Sequence, residues 1–524
     1  MRHAALALLL AAPATLTAAG AAAQAVSIGA AAPATSLDPH FYNSSPTTNV
    51  ATHFFEMLVA RDPQARPVPQ LAESWRAVSD TVWEFKLRPG VKWHDGRDFT
   101  AEDVAFSIAR VPDVPNSPGS FAPMVRAIQR VEVVDPLTVR LHTAAAHPLL
   151  PNELGSIFIV SRHVGQGAAT EDYNSGKAMI GTGPYRFAAY APGDRVRMTR
   201  YEAHWAGRPA WGEVSFRFIP NAGGRSAALL SGDVDMVDQV PMADLAQLRA
   251  NPRVVLSEIP GFRLLYMQAD HSRTGEVPYV TGNDGKPLPR NPFKDLRVRR
   301  ALSIAINRQA IADRVMEGAA RPTGQLLPEG VYSWNPAIPV PAHDPDGARR
   351  LLAEAGYPDG FRLVVQSPND RYPNDSKVTQ AVAQMWTRIG VRTEVDAMPW
   401  ASFSGRSARQ EFGMRLAGGA SVTGEATYPL TTTIGTYGQG GRRGATNVGR
   451  YSNPEMDAMV DRAAATVDDA ERERQLQAAL KLAMDDVALI PLVHLVNTWA
   501  MRPGLRHEPR MDERSSAIDL RPVE

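Results

Sequence analysis

An α/β fold with more than one domain is what the sequence predicts, and three observations predict it. Strand-like and helix-like stretches alternate irregularly along nearly the whole chain, which argues for α/β layers rather than an all-helical or all-β body. The chain has 524 residues, and at roughly 100–200 residues per domain that length implies two or three folded units. Its composition, 44% hydrophobic and 21% charged, is that of an ordinary globular protein and excludes wholesale disorder.

Charge and cysteine content narrow the function classes. Basic and acidic residues number 56 and 55, without the basic surplus a nucleic-acid binder uses to neutralise phosphates. Cysteine is absent, which removes disulfides, thiolate metal sites, thiol nucleophiles and lipid attachment through an N-terminal cysteine. The mature protein is therefore expected not to be a lipoprotein.

In chain order, residues 1–25 read as a secretory signal peptide. Arg2 and His3 give a basic start, residues 4–12 are an apolar run, Pro13 breaks it, and small residues lead to Ala23 and Ala25, the two expected cleavage positions. The apolar run is nine residues long, short of the ~20 a membrane span needs. Residues 81–87 alternate, with Val82, Glu84 and Lys86 on one side and Trp83, Phe85 and Leu87 on the other, the pattern of a half-buried strand. Pro89-Gly90 then turns the chain, Val91-Lys92-Trp93 begins a second strand, and His94-Asp95-Gly96 closes it. Thr100 to Asp103 is a capping box for a helix reaching about Arg110.

Leu229-Leu230-Ser231-Gly232 reads as a helix end, with a short strand over residues 233–237 after it. Residues 294–306 form an amphipathic pattern with Val298, Ala301, Leu302 and Ala305 inward and Arg297, Arg299 and Arg300 towards water. Asn307 caps the next helix, which Gly318 ends. Further helices are expected over residues 344–355, 378–389 and 468–485, the first two followed by strands at 361–365 and 391–395.

Catalytic chemistry is hard to find. Gly224-Arg-Ser226-Ala-Ala228 and Gly405-Arg-Ser407-Ala-Arg409 lack the closing glycine of a nucleophile elbow. Neither Gly176-Lys177 nor Gly285-Lys286 continues into the Ser/Thr of a phosphate loop, and no H-E-x-x-H zinc motif is present. His142 and His147 are five residues apart, a spacing that would not aim two nitrogens at one ion from a strand end. Trp93-His94-Asp95-Gly96 is a turn rather than a catalytic His-Asp pair. The expectation is a binding module with no catalytic residue and no cofactor.

Several segments together carry a resemblance. Leu37-Asp38-Pro39-His40, Phe55-Glu56-Met57-Leu58, Leu71-Ala-Glu-Ser-Trp75, residues 83–96 and Phe99-Thr-Ala-Glu-Asp-Val104 are followed, in order, by Gly181-Thr-Gly-Pro-Tyr-Arg-Phe187, Leu230-Ser-Gly-Asp-Val-Asp235, residues 295–302, Ala305-Ile-Asn-Arg308, Ala353-Glu-Ala-Gly-Tyr-Pro358 and Tyr451-Ser-Asn-Pro454. This ordered set resembles the family 5 extracellular solute-binding proteins, the dipeptide-, oligopeptide- and nickel-binding components of ABC importers. The resemblance implies a type II periplasmic binding protein fold: two lobes joined by strand-like crossings near residues 262–268 and 490–494. The implied boundaries are residues 26–58, 183–265 and 490–524 for the first lobe's core, 59–182 for its extra subdomain and 266–489 for the second lobe. It also implies a monomer in the periplasm that passes a small-molecule or peptide ligand to ABC permease transmembrane subunits, ATPase subunits acting only indirectly. Nickel or haem cargo is the alternative within the family, and a secreted hydrolase with an unrecognised site the alternative outside it.

The same resemblance suggests where the ligand sits. Peptide binders of the family hold the ammonium group on an aspartate in a Trp- and Gly-rich loop, and often the carboxylate on an arginine after the second lobe's first strand. Arg371 lies near that second place, as a surface arginine also would. The first loop departs from the pattern, since residues 416–430 contain no tryptophan and no aspartate. Glu425 is the only acid there, beside Gly419, Ser421, Thr423 and Thr427. Either Glu425 has taken over the amine, or a standard dipeptide is not the preferred ligand and a capped peptide, opine-like conjugate or other polar metabolite is. Tyr42, Trp334 and Trp400 are the aromatic candidates for stacking on the ligand.

Overall fold

The computed structural model describes residues 24–421, 423–438 and 443–523. The expected signal peptide lies outside the described residues up to position 23. Among the described residues no helix is long and apolar enough to cross a membrane.

Two long strands, Val255–Ala269 and Ile490–Met501, organise the molecule. They pair antiparallel with each other at the centre of a 12-stranded sheet. On one side Val255–Ala269 continues into Met414–Gly419, Arg362–Pro368 and Arg392–Met398. On the other, Ile490–Met501 pairs with Met236–Val237, which leads to Ala25–Ala30, Glu213–Phe218, Arg195–Arg200 and Tyr185–Ala191. The chain therefore passes between the two halves of the sheet on adjacent strands, and the pairing register shifts between Pro260 and Leu264 at that passage. A bulge there bends the strand locally.

Separate apolar cores flank the passage. One gathers Ile28, Phe54, Trp211, Phe216 and Trp499, and another Phe293, Leu302, Val365, Trp386 and Leu416. A third, built on Phe85, Trp93, Leu141 and Ile159, belongs to a four-stranded antiparallel sheet of Ala72–Ser79, Val82–Leu87, Thr138–Thr143 and Ile128–Asp135. Trp83, Phe85 and Leu87 face inward as the alternation requires. Glu84, on the opposite face, is also buried, because Arg76 and Arg140 cover its carboxylate at 3.0 and 2.8 Å.

Helix signals translate closely. The helix Ala101–Arg110 starts on the Thr100/Asp103 capping box, Gly232 ends Ala222–Ser231 at φ 84°, and the Asp468 side chain caps Asp469–Asp485. Three expectations are corrected. Val91-Lys92-Trp93 forms only an isolated bridge, Lys92 to Asp98, because the turn at His94 returns the chain at once. The strand expected over 233–237 is reduced to Met236–Val237. Arg299 does not face water: it is buried and donates to the Asp486 carboxylate at 2.6 Å and to the Phe293 carbonyl at 2.9 Å.

The Gly181-Thr-Gly183 motif also acquires a physical reason. The Gly183 amide donates to the Phe54 carbonyl at 2.9 Å, and a side chain at 181 would overlap that same carbonyl oxygen. Glycine is required where two backbones approach this closely.

Candidate functional site

A cavity of about 400 Å³ opens beside the crossing strands. Its first wall comes from Asn43 to Asn49, Arg61 and residues 511–514; the opposite wall is the loop of Ala420, Ser421, Thr423 and Gly424; Phe262 and Arg263 on the crossing strand form its floor. A second cavity of about 410 Å³ lies beyond Arg263 and Glu513, which line both, and it reaches Arg371 and residues 238–242. Those two shared residues form an ion pair at 3.3 Å between the cavities. Both volumes suit small-molecule ligands, whose sites run about 300–1,000 Å³.

Local structure explains how each side chain reaches the cavities. Arg61 ends the strand Val59–Arg61 and is tied down by donating to the Asn152 carbonyl at 2.8 Å and the Ser156 hydroxyl at 3.2 Å. The 511–514 segment is held by Arg510, which grips Asp512 through Nε and Nη2 at 3.0 Å and donates to the Arg61 and Asp62 carbonyls at 2.8 and 3.1 Å. Burial alone would raise the Asp512 carboxyl, but Arg510 and Arg514 overcome it and hold it at about 2. Burial, followed by repulsion from Arg514, pulls Arg61 down to about 10. At the second cavity, burial pushes Asp238 up to about 6, although its carboxylate accepts the Ala31 amide at 2.7 Å.

The residues singled out from sequence are distributed unevenly. Ser421 and Thr423 line the first cavity and Arg371 the second. Glu425 is 1% exposed, and its carboxylate is fully engaged. It accepts from Arg472 at 2.6 Å, from the Thr427 hydroxyl and amide at 2.8 and 3.1 Å, and from the Thr423 hydroxyl at 3.2 Å. The Glu425 carboxylate is thus met from within the protein, and Ser421, Thr423 and Gly424 beside it are the residues that line the cavity. Gly419 is half-buried at the end of its strand, paired to Leu264.

The three aromatic candidates are not brought together. The Tyr42 ring packs against Gly119, while its neighbours Asn43 and Ser44 line the cavity. Trp334 is half-buried and its carbonyl accepts from Gln477 at 2.9 Å. Trp400 stacks on Phe403, ring centroids 5.7 Å apart, and carries the Arg371 guanidinium 5.3 Å over its face. Trp400 thus positions an arginine of the rim, a cation–π contact.

Sequence reasoning missed Arg61, Arg263 and Arg514. Their importance comes from contacts across most of the chain, such as Arg510 to Arg61, 449 positions apart. The one local signal was the dense charge of Arg510-Met-Asp-Glu-Arg514.

Comparison with known proteins agrees with this architecture. The family model for bacterial extracellular solute-binding proteins, family 5 Middle, matches residues 66–441. Glutathione-binding protein GsiB of Pectobacterium atrosepticum is 30% identical over 449 residues, covering 84% of this chain and 82% of that protein. Heme-binding protein A of Haemophilus influenzae is 29% identical over 468 residues, covering 84% of this chain and 81% of that protein. The solved structure of HbpA2 from Haemophilus parasuis shares the fold with a TM-score of 0.82 at 24% identity, covering 96% of this chain and 100% of that one. With more than half of its length matched, the chain belongs to the family 5 bacterial extracellular solute-binding proteins.

Proposed function

We propose that this protein captures a small, polar, peptide-like solute in the periplasm and presents it, enclosed, to the permease of an ABC importer. The observation that carries this reading is the cavity of about 400 Å³ whose walls belong to opposite sides of the crossing strands. The first lobe is the half containing Asn43–Asn49, with the 59–182 region as its extra subdomain, and the second lobe is the half containing the 420–424 loop. A solute touching both walls binds the closed arrangement better than the open one and shifts the population by that difference in affinity. No bond in the solute is made or broken.

The lining includes the hydroxyls and amides of Asn43, Ser44, Ser45, Thr48, Asn49 and Ser421, which suit the amide and carboxylate groups of a peptide-like molecule. The name of one relative, glutathione-binding protein GsiB, points the same way, glutathione being a tripeptide, whereas another relative is named for heme. A haem or nickel cargo would be served by imidazole ligands, and among the described residues no histidine lines either cavity. Calorimetry with glutathione and a panel of free and capped di- and tripeptides tests the reading. Saturable one-to-one binding of at least one panel member, recovered unchanged afterwards, is expected. Failure of every member to bind, or chemical conversion of one, would overturn it.

A further inference from the structure

We infer that the wall formed by Arg61 and Arg514 is the seat of an anionic group of the solute, a carboxylate; this rests on the solute-capture reading above and specifies the chemistry of the cargo. Each acid of the first cavity already has a partner: Glu153 meets the His147 imidazole at 2.7 Å, Asp512 pairs with Arg510 at 3.0 Å and Glu513 with Arg263 at 3.3 Å. An ammonium group entering here finds no carboxylate without a partner.

The arginines are in the opposite position. Among the described residues, the Arg514 guanidinium makes no hydrogen bond, and its closest carboxylate oxygen, on Asp512, is 4.0 Å away. Yet its side chain is only 12% exposed. Arg61 is held by two neutral acceptors, and its Nε is buried without a partner. A buried guanidinium with unmet donors is costly, because burial strips its water without supplying acceptors in return. Asp512 lies near both groups, but among the described residues it accepts a hydrogen bond from neither side chain, so two guanidiniums bordering one cavity of a solute-binding protein leave an acceptor to the ligand. The planar fork of arginine matches a carboxylate in bidentate geometry. Glu153 and Asp512 border the same space and disfavour a more highly charged phosphate.

The test uses the full mature protein, with glutathione and glutathione amidated at both carboxyls as the probes. Affinities are measured by calorimetry for the unmodified protein, Arg61→Gln and Arg514→Gln, and the melting temperatures of the empty proteins are compared. One lost charge-assisted contact corresponds to a loss of roughly 10- to 100-fold. That loss is expected for free glutathione on either substitution and for the diamide on the unmodified protein, with little further loss when the two are combined. Melting temperatures of the empty variants are expected to stay above the temperature of the calorimetry, so that a lost affinity reports on binding and not on folding.

Affinity for free glutathione within twofold of normal in both variants would overturn the inference. No binding of free glutathione, with another panel solute still binding, overturns this inference alone and leaves solute capture standing. No binding by any panel solute overturns both.

Discussion

At the scale of single residues, the Glu425–Arg472 pair separates support from recognition. Their side chains are 1% and 4% exposed and meet at 2.6 Å. Removing one partner of a buried pair strands the other charge and typically costs about 3–5 kcal/mol. Glu425→Gln is therefore expected to lower unfolding free energy by roughly that amount in a denaturant titration. Were Glu425 the anchor of a ligand amine instead, the substitution would cost affinity and leave the stability of the empty protein nearly unchanged.

This pair also shows why the site was only partly legible. Ser421 and Thr423 were readable as hydroxyl-bearing residues, and both line the cavity. Whether an acid points inward or outward depends on its partner. Arg472 lies 47 positions from Glu425, in a helix whose sequence pattern says nothing of it. Arg61 and Arg514 were illegible for the same reason, since pairing and burial are properties of the folded neighbourhood.

At the scale of elements, legibility tracks how local the determining physics is. Caps, turns and periodicity act within a few residues, and the Thr100/Asp103, Asn307 and Asp468 caps all direct helices where the sequence placed them. The Val91 strand failed because strands need partners, and this segment finds an isolated bridge from Lys92 to Asp98 instead of a ladder. Arg299 lies on an amphipathic helix beside Arg297 and Arg300, but only tertiary packing brings Asp486 to it, 187 positions on. The Gly181 motif was visible as a resemblance and became explicable only with the Phe54 carbonyl in view. Gly181→Ala forces these backbones apart and is expected to destabilise the protein by roughly 3 kcal/mol, as overpacking does. A thermal melt within one degree of normal would contradict that account of the motif.

At the scale of the whole molecule, buried histidines set the pH response. Burial holds His53, His94, His494 and His507 at about 4, burial and Arg110 hold His40 at about 4, and burial and Arg299 hold His271 at about 3. Their ordinary value is near 6.5. Between these values the unfolded chain binds protons that the native protein refuses. Their stabilising contribution is thus complete above about 6.5 and is lost as pH falls towards about 4. Asp238 and Asp519, raised by burial to about 6, work in the opposite sense, losing stability as pH rises from the ordinary carboxylate range through about 6. Six groups outweigh two, so the melting temperature is expected to fall steadily from pH 7 to pH 4. A flat or rising profile over that window would show that these histidines are not held neutral.

Val255–Ala269 and Ile490–Met501 carry the chain between the two halves of the sheet, and the proposed capture works by closure of those halves about them. Small-angle scattering of the purified protein, with and without a saturating solute identified by calorimetry, measures it. The radius of gyration is predicted to shrink on binding, with the same molecule recovered after denaturation. Unchanged scattering at full occupancy would contradict the account.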